Sequence, residues 1–242
     1  MSQGKVDRQL AYVLHAQPYR ETSLLVEVLT RDYGRFSLVA RGARRPRADL
    51  RGILLPFQPL TLAWFGKNEV RTLHTAEWNG GVPQLSGLPL ICGFYLNELW
   101  MKLTARDDPQ PEAFAIYDQA VRGLARSAGL ATVLRRYELG ILREMGYVPA
   151  LDRDGHGQPI VASANYLCAA GAAPELDQGQ PLIGQLAQVR GSSLLAMARD
   201  DFSDKTTRLE ARALLRVWLT GLLGAEPLAS RELLQAINAL SD

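Results

Sequence analysis

Seven arginines, Arg31, Arg35, Arg41, Arg44, Arg45, Arg47 and Arg51, fall between positions 31 and 51, opposed there by only Asp32 and Asp49. So many like charges in so short a stretch repel one another unless solvent or a polyanion spreads the field. The chemistry this pattern suits is binding to phosphates, without a bond made or broken. Lys67 and Arg71, in the same third of the chain, extend the phosphate-facing candidates to Arg35, Arg41, Arg44, Arg45, Arg47, Arg51, Lys67 and Arg71. Tyr19, Tyr33, Trp64 and Phe65 lie among them as candidate platforms for stacked bases, although bulky residues also fill small barrels.

The basic character is local. Residues 1–80 carry 12 Lys+Arg against 7 Asp+Glu, whereas the whole chain of 242 residues has a formal net charge of only +2. A composition of 47% hydrophobic and 21% charged residues is that of an ordinary globular protein with a proper core.

Catalytic readings find no support in spacing. No phosphate-loop signature, H-E-x-x-H or nucleophile elbow is present, and His15, His74 and His156 are scattered. Cys92 and Cys168 are too few for a disulfide framework or zinc site, and Asp152, Asp154 and Gly155 open a calcium-like loop whose twelfth position is Ser163 rather than Glu. The expectation is no enzyme, no cofactor and no metal. With no signal peptide or apolar span in view, a reducing cytoplasm is the expected compartment.

The elements that must carry the arginines come in two styles. Residues 10–17, 22–30, 35–41, 56–65 and 69–78 read as five strands, with Phe36, Leu38 and Ala40 alternating against Arg35, Ser37, Val39 and Arg41 in the third. Residues 42–52 break that pattern with glycine and Pro46, as a mobile basic loop. Five short strands without crossover helices predict a small closed antiparallel barrel of OB type, with an SH3-like barrel as the open alternative.

After Gly80 and Gly81 the hydrophobic period becomes helical, over residues 88–102, 111–126, 132–145 and 204–223. The fold class is therefore α+β: a barrel over 1–80 and a helical domain over 81–242, interrupted by a small irregular, zinc-free insertion at about 147–181. Arg208, Arg212 and Arg216 recur every four residues on the last long helix, a further possible phosphate stripe or a solvated face. Ser230 is expected to cap a closing helix with Glu232 in its first turn.

With these pieces in order, the chain resembles the RecO family of bacterial recombination mediators over essentially its full length. The resemblance is carried by VLHAQPYRETSLLVEVLTRDYGR, LVARGARR, PFQPL, LRRYELGILREMGY and LASREL, taken together. It implies an OB barrel, a helical C-terminal domain and no catalytic centre. It also implies binding to single- and double-stranded DNA, annealing of complementary strands, and cooperation with RecR to load RecA onto strands coated by single-stranded-DNA-binding protein. That partner's acidic-hydrophobic C-terminal tail is implied to dock at LRRYELGIL, which marks Arg135 for its carboxylates and Leu139 and Leu142 for its apolar side chains. The implied location is cytoplasmic and nucleoid-associated. Many relatives carry four cysteines in the irregular region where this chain keeps Cys168. The rival readings are an OB-fold RNA-binding protein and an adaptor without annealing activity.

Overall fold

The computed structural model of the chain describes residues 4–126, 129–179, 184–224 and 228–230; the first of these stretches forms one compact unit and the described residues from 129 to 230 a second. The closing helix expected from Ser230, with Glu232 in its first turn, lies outside the described residues.

Unit one begins with β1 (Lys5–Tyr19), β2 (Ser23–Thr30) and β3 (Gly34–Ala40), followed by a short helix α1 (Leu50–Ile53), then β4 (Leu60–Phe65) and β5 (Val70–Trp78). The strands close a barrel in the order β1-β2-β3-β5-β4, with β3 and β5 parallel and every other pair antiparallel. That is the five-stranded OB arrangement, and strand order decides it against the SH3-like alternative. β1 is longer than its alternating segment suggests. It pairs with β4 through residues 5–11 and with β2 through 11–19, bending at register shifts after Val6 and Val13. The fourth strand is shorter than expected, because Pro56 and Pro59 have no N–H for a ladder.

Alternation does the sorting. Val26, Val28, Phe36, Leu38, Leu60, Leu62 and Trp64 point into the barrel. Leu50 and Ile53 of α1 pack against this core at the end of the stretch 42–52 read as loop and just after it. Trp64 is buried against Phe36, so it serves the core and not a base.

Two helices, α2 (Gly87–Leu103) and α3 (Pro111–Ala125), belong to the same compact unit as the barrel. Buried Asn97 of α2 donates to the Leu14 carbonyl (2.8 Å) and accepts from the Tyr117 hydroxyl, while Tyr12 donates to Asp118 of α3. Burial, then the bond to Asp118, pushes the Tyr12 phenol above its ordinary range. At Gly93 an added Cβ would meet the Phe57 ring at 2.9 Å, so glycine lets α2 approach.

Unit two holds α4 (Leu130–Glu144), β6 (Asn165–Cys168), β7 (Glu175–Leu176), β8 (Ala187–Arg190), α5 (Gly191–Ala198) and α6 (Lys205–Leu223). The stretch read as irregular thus supplies two strands of a small antiparallel sheet ordered β7-β6-β8. Cys168 is buried there, and burial pushes its thiol up to about 12, which keeps it protonated. Leu139, Ile141 and Leu142 of α4 and Leu214, Leu215 and Trp218 of α6 are all buried. Asp204 caps α6 by accepting from the Thr207 N–H at 2.8 Å.

Candidate nucleic-acid interface

The arginines of residues 31–51 do not share one environment. β3 leaves the barrel at Ala40, beside Leu24, so the loop that follows stands next to the β1–β2 turn. The Arg44 N–H donates to the Thr22 carbonyl at 2.9 Å, and its guanidinium reaches the carbonyls of Arg20 and Glu21 at 3.3 Å. Two loops are thereby stitched together. Arg41, Arg44, Arg45, Arg47 and Arg51 are exposed around this seam, and so is Arg20. Residues 18–22 and 41–53 accordingly hold six arginines against Glu21 and Asp49.

Arg20 was not a sequence candidate. It stands alone in the turn between the first two strands, and only the stitched loops bring it to the cluster. Its guanidinium lies 5.3 Å from the centroid of the half-buried Tyr19 ring.

Arg35 and Arg71 fall out of the phosphate-facing set. Arg35 pairs with Glu27 at 2.7 Å and donates to the Thr104 carbonyl at 2.9 Å. Glu27 also accepts from Ser37 (2.7 Å) and Arg106 (2.9 Å). A buried carboxylate needs such partners, and they occupy the arginine. Arg71 is buried with its guanidinium 3.8 Å from the Phe36 ring centroid and paired with Asp107. The alternation of β3 places Arg35 outside the barrel core correctly, but the segment after α2 covers that outer face. There the Asp107 N–H donates to the Arg35 carbonyl at 2.9 Å, and an added Cβ at Gly34 would collide with Asp108. The strand 2–3 face on which OB folds commonly bind oligonucleotides is therefore covered here at its Gly34–Arg35 end.

Lys67 is exposed, but in the β4–β5 turn. β5 starts parallel to β3 at Ser37, so this turn lies toward the Gly34 end of β3, away from the loop leaving Ala40. Tyr33 is partly exposed near it, packed edge-on against Trp64 at 5.2 Å, and Phe65 packs against His74 at 4.8 Å.

In unit two, Arg135, Leu139 and Leu142 are all buried. Arg135 holds Glu138, with a 2.8 Å bond from Nη2 to Oε1, so these three do not form a surface for a docking tail. Their spacing is amphipathic, and the face they share is the packed one. The exposed basic residues of α4 are Arg136, paired with Asp200 at 3.0 Å, and Arg143. Arg143 and Arg199 flank a groove of about 570 Å³ floored by Val148, Pro149, Leu151 and Leu195, with Asp152 also on its wall. Along α6, Arg212 and Arg216 are exposed, but Arg208 donates to the carbonyls of Phe202 and Ser203 at 2.8 and 2.6 Å. The stripe is thus broken at its first member.

Among the described residues there is no group of three His, Cys, Asp or Glu placed to hold a metal, and no helix long and apolar enough to cross a membrane.

Residues 2–81 match the model described as "Recombination protein O N terminal", and residues 86–232 match "Recombination protein O C terminal". The chain is 64% identical to the DNA repair protein RecO of Chromobacterium violaceum, with both chains covered in full. It is 53% identical to that of Laribacter hongkongensis, again over both full lengths, and 47% identical to that of an Azoarcus species over 98% of each.

Proposed function

The chain belongs to the RecO family of DNA repair proteins, and on that premise we propose that it grips DNA phosphates through the stitched loops of its barrel and brings complementary strands together. The observation that carries this reading is the set of six exposed arginines, Arg20, Arg41, Arg44, Arg45, Arg47 and Arg51, against two acids. Neutralising phosphates on two strands lowers their mutual repulsion and leaves base edges free to pair, so annealing needs no catalytic group. The same contacts accept single strands and duplexes, because they read no sequence. Arg212 and Arg216 are secondary candidates, on unit two.

In this reading the protein is a mediator and not an enzyme. It works in the cytoplasm on the nucleoid, and acts with RecR to help RecA onto strands coated by single-stranded-DNA-binding protein. The acidic-hydrophobic tail of that coating protein is assigned to the groove of Arg143 and Arg199, whose apolar floor between two cations suits it better than the buried Arg135.

Titration of a fluorescent single-stranded oligonucleotide at several salt concentrations tests the DNA assignment. Four to six phosphate contacts give a log–log slope of roughly −3 to −4 on single strands. Affinity independent of salt sinks it. Competition with RNA of the same sequence separates it from an RNA-binding role, since preference for RNA requires contacts to the 2′-hydroxyl.

A further inference from the structure

Beside α1 a cavity of about 620 Å³ is lined by Gly52, Ile53, Leu55, Gln58, Trp78 and Val82, among others. It lies wholly within unit one. Two features make it more than an apolar hollow.

Trp78 ends β5 with its side chain turned outward, 59% exposed, whereas Trp64, Trp100 and Trp218 are each 1% exposed. A tryptophan left so open at a cavity offers a flat, polarisable face with no role in the core. Its indole N–H donates to Gln58 Oε1 at 2.9 Å. Because an indole nitrogen can only donate, this bond fixes which end of the amide is oxygen. Gln58 is only 7% exposed, and its Nε2 has no hydrogen-bond partner among the described residues. A buried donor without an acceptor is costly to keep, and here it belongs to a side chain on the cavity wall.

We propose that this notch takes one unstacked nucleobase of a single-stranded DNA, stacked on Trp78, with Gln58 Nε2 donating to an acceptor on the base edge. The volume suits a single small ligand. Charge points to the occupant: exposed Arg51 immediately precedes Gly52 of the cavity wall, and exposed Arg47 stands four residues before Arg51 in the same cluster, so a phosphodiester gripped there carries its base toward the notch. A duplex base remains stacked and paired and does not enter. The notch therefore favours single strands, a preference the phosphate contacts alone do not supply.

This inference rests on the DNA-binding reading, and the experiment separates the two. The full chain is titrated with fluorescein-labelled oligothymidine, with an abasic oligomer of the same length, and with a duplex. Each is repeated for Trp78→Ala and Trp78→Phe. The expected result is a loss of roughly 5- to 150-fold in oligothymidine affinity for Trp78→Ala, partly restored in Trp78→Phe, with abasic and duplex binding and the salt slope unchanged. Saturable quenching of wild-type tryptophan fluorescence by unlabelled oligothymidine, and not by the abasic oligomer, is also expected, because Trp78 is the tryptophan open to solvent. If Trp78→Ala binds oligothymidine as the wild type does, or loses the abasic oligomer equally, the notch is overturned while the phosphate grip stands. If the wild type binds none of the three ligands, both fall together. Trp78 is exposed and outside the barrel core, so the variants fold; a circular dichroism melt of each confirms it.

Discussion

At the open end of the barrel, Arg41, Arg44, Arg45, Arg47 and Arg51 stand in solvent around a loop seam, while in α4 Arg135 is folded under with its charge spent on Glu138. Both regions carry expected partner contacts, the first from its charge pattern and the second from the family resemblance. The difference lies in where each guanidinium finds its counter-charge. The two loops hold only Glu21 and Asp49 against six arginines, so the positive field remains for an outside polyanion. In α4, a carboxylate three residues on shares the helix face, and packing shuts the pair away from water. Arg35 shows the same outcome inside the basic stretch itself, six positions from exposed Arg41.

The sharpest way to break this comparison is Arg135→Ala. Removing the guanidinium takes from buried Glu138 the cation it is paired with, with an expected loss of about 3–5 kcal/mol in urea denaturation. A loss below about 1 kcal/mol would return Arg135 to the list of surface residues.

The converse variant, Arg44→Ala with Arg45→Ala and Arg47→Ala, is expected to leave the unfolding midpoint close to the wild type while flattening the single-strand salt slope by roughly 2. An unchanged slope would mean that the loops do not touch phosphate. Replacing all of Arg20, Arg41 and Arg51 as well is the stronger form of the same test.

A smaller effect is expected at the second groove. Arg143→Ala and Arg199→Ala should each weaken an acidic-hydrophobic tail peptide by up to roughly fivefold, as rim ion pairs do, read by fluorescence anisotropy. Equal peptide affinity in both variants would place the tail elsewhere.

The least effect is one of pH. The Thr207 backbone N–H holds the Asp204 carboxyl below its ordinary value of 3.8, and the Gly179 N–H followed by the Gln188 amide does the same to Asp177. A carboxyl depressed in the folded state contributes stability above its unfolded value and loses it as pH falls through the folded one. The urea midpoint is therefore expected to drop between pH 4 and pH 2, with a shallower drop in Asp204→Asn; identical curves would show that the cap carries no linkage.

How much of this was legible in the sequence follows from the range of the forces involved. Strand alternation is local, so the barrel and the inward faces of β2 and β3 were readable residue by residue, as were the helical stripes of α3 and α4. The clustering of arginines between 31 and 51 was readable too, because it is a property of the chain alone. Strand order is not local: the parallel β3–β5 pair, which makes the barrel an OB fold, joins segments more than thirty residues apart. The two short strands in 147–181 carry too few residues to show a period, and α1, a single turn, has none.

A basic barrel followed by helices is already written in the chain, because apolar residues repeat at two and then at 3.6 positions. Which cations are free to meet a phosphate was decided only in the tertiary structure. Glu27 and Asp107 claim Arg35 and Arg71 from distant positions, Glu138 claims Arg135 once packing hides the pair, and the stitched loops carry Arg20 to the cluster. A charge is written in the sequence, but its partner is chosen by proximity in space.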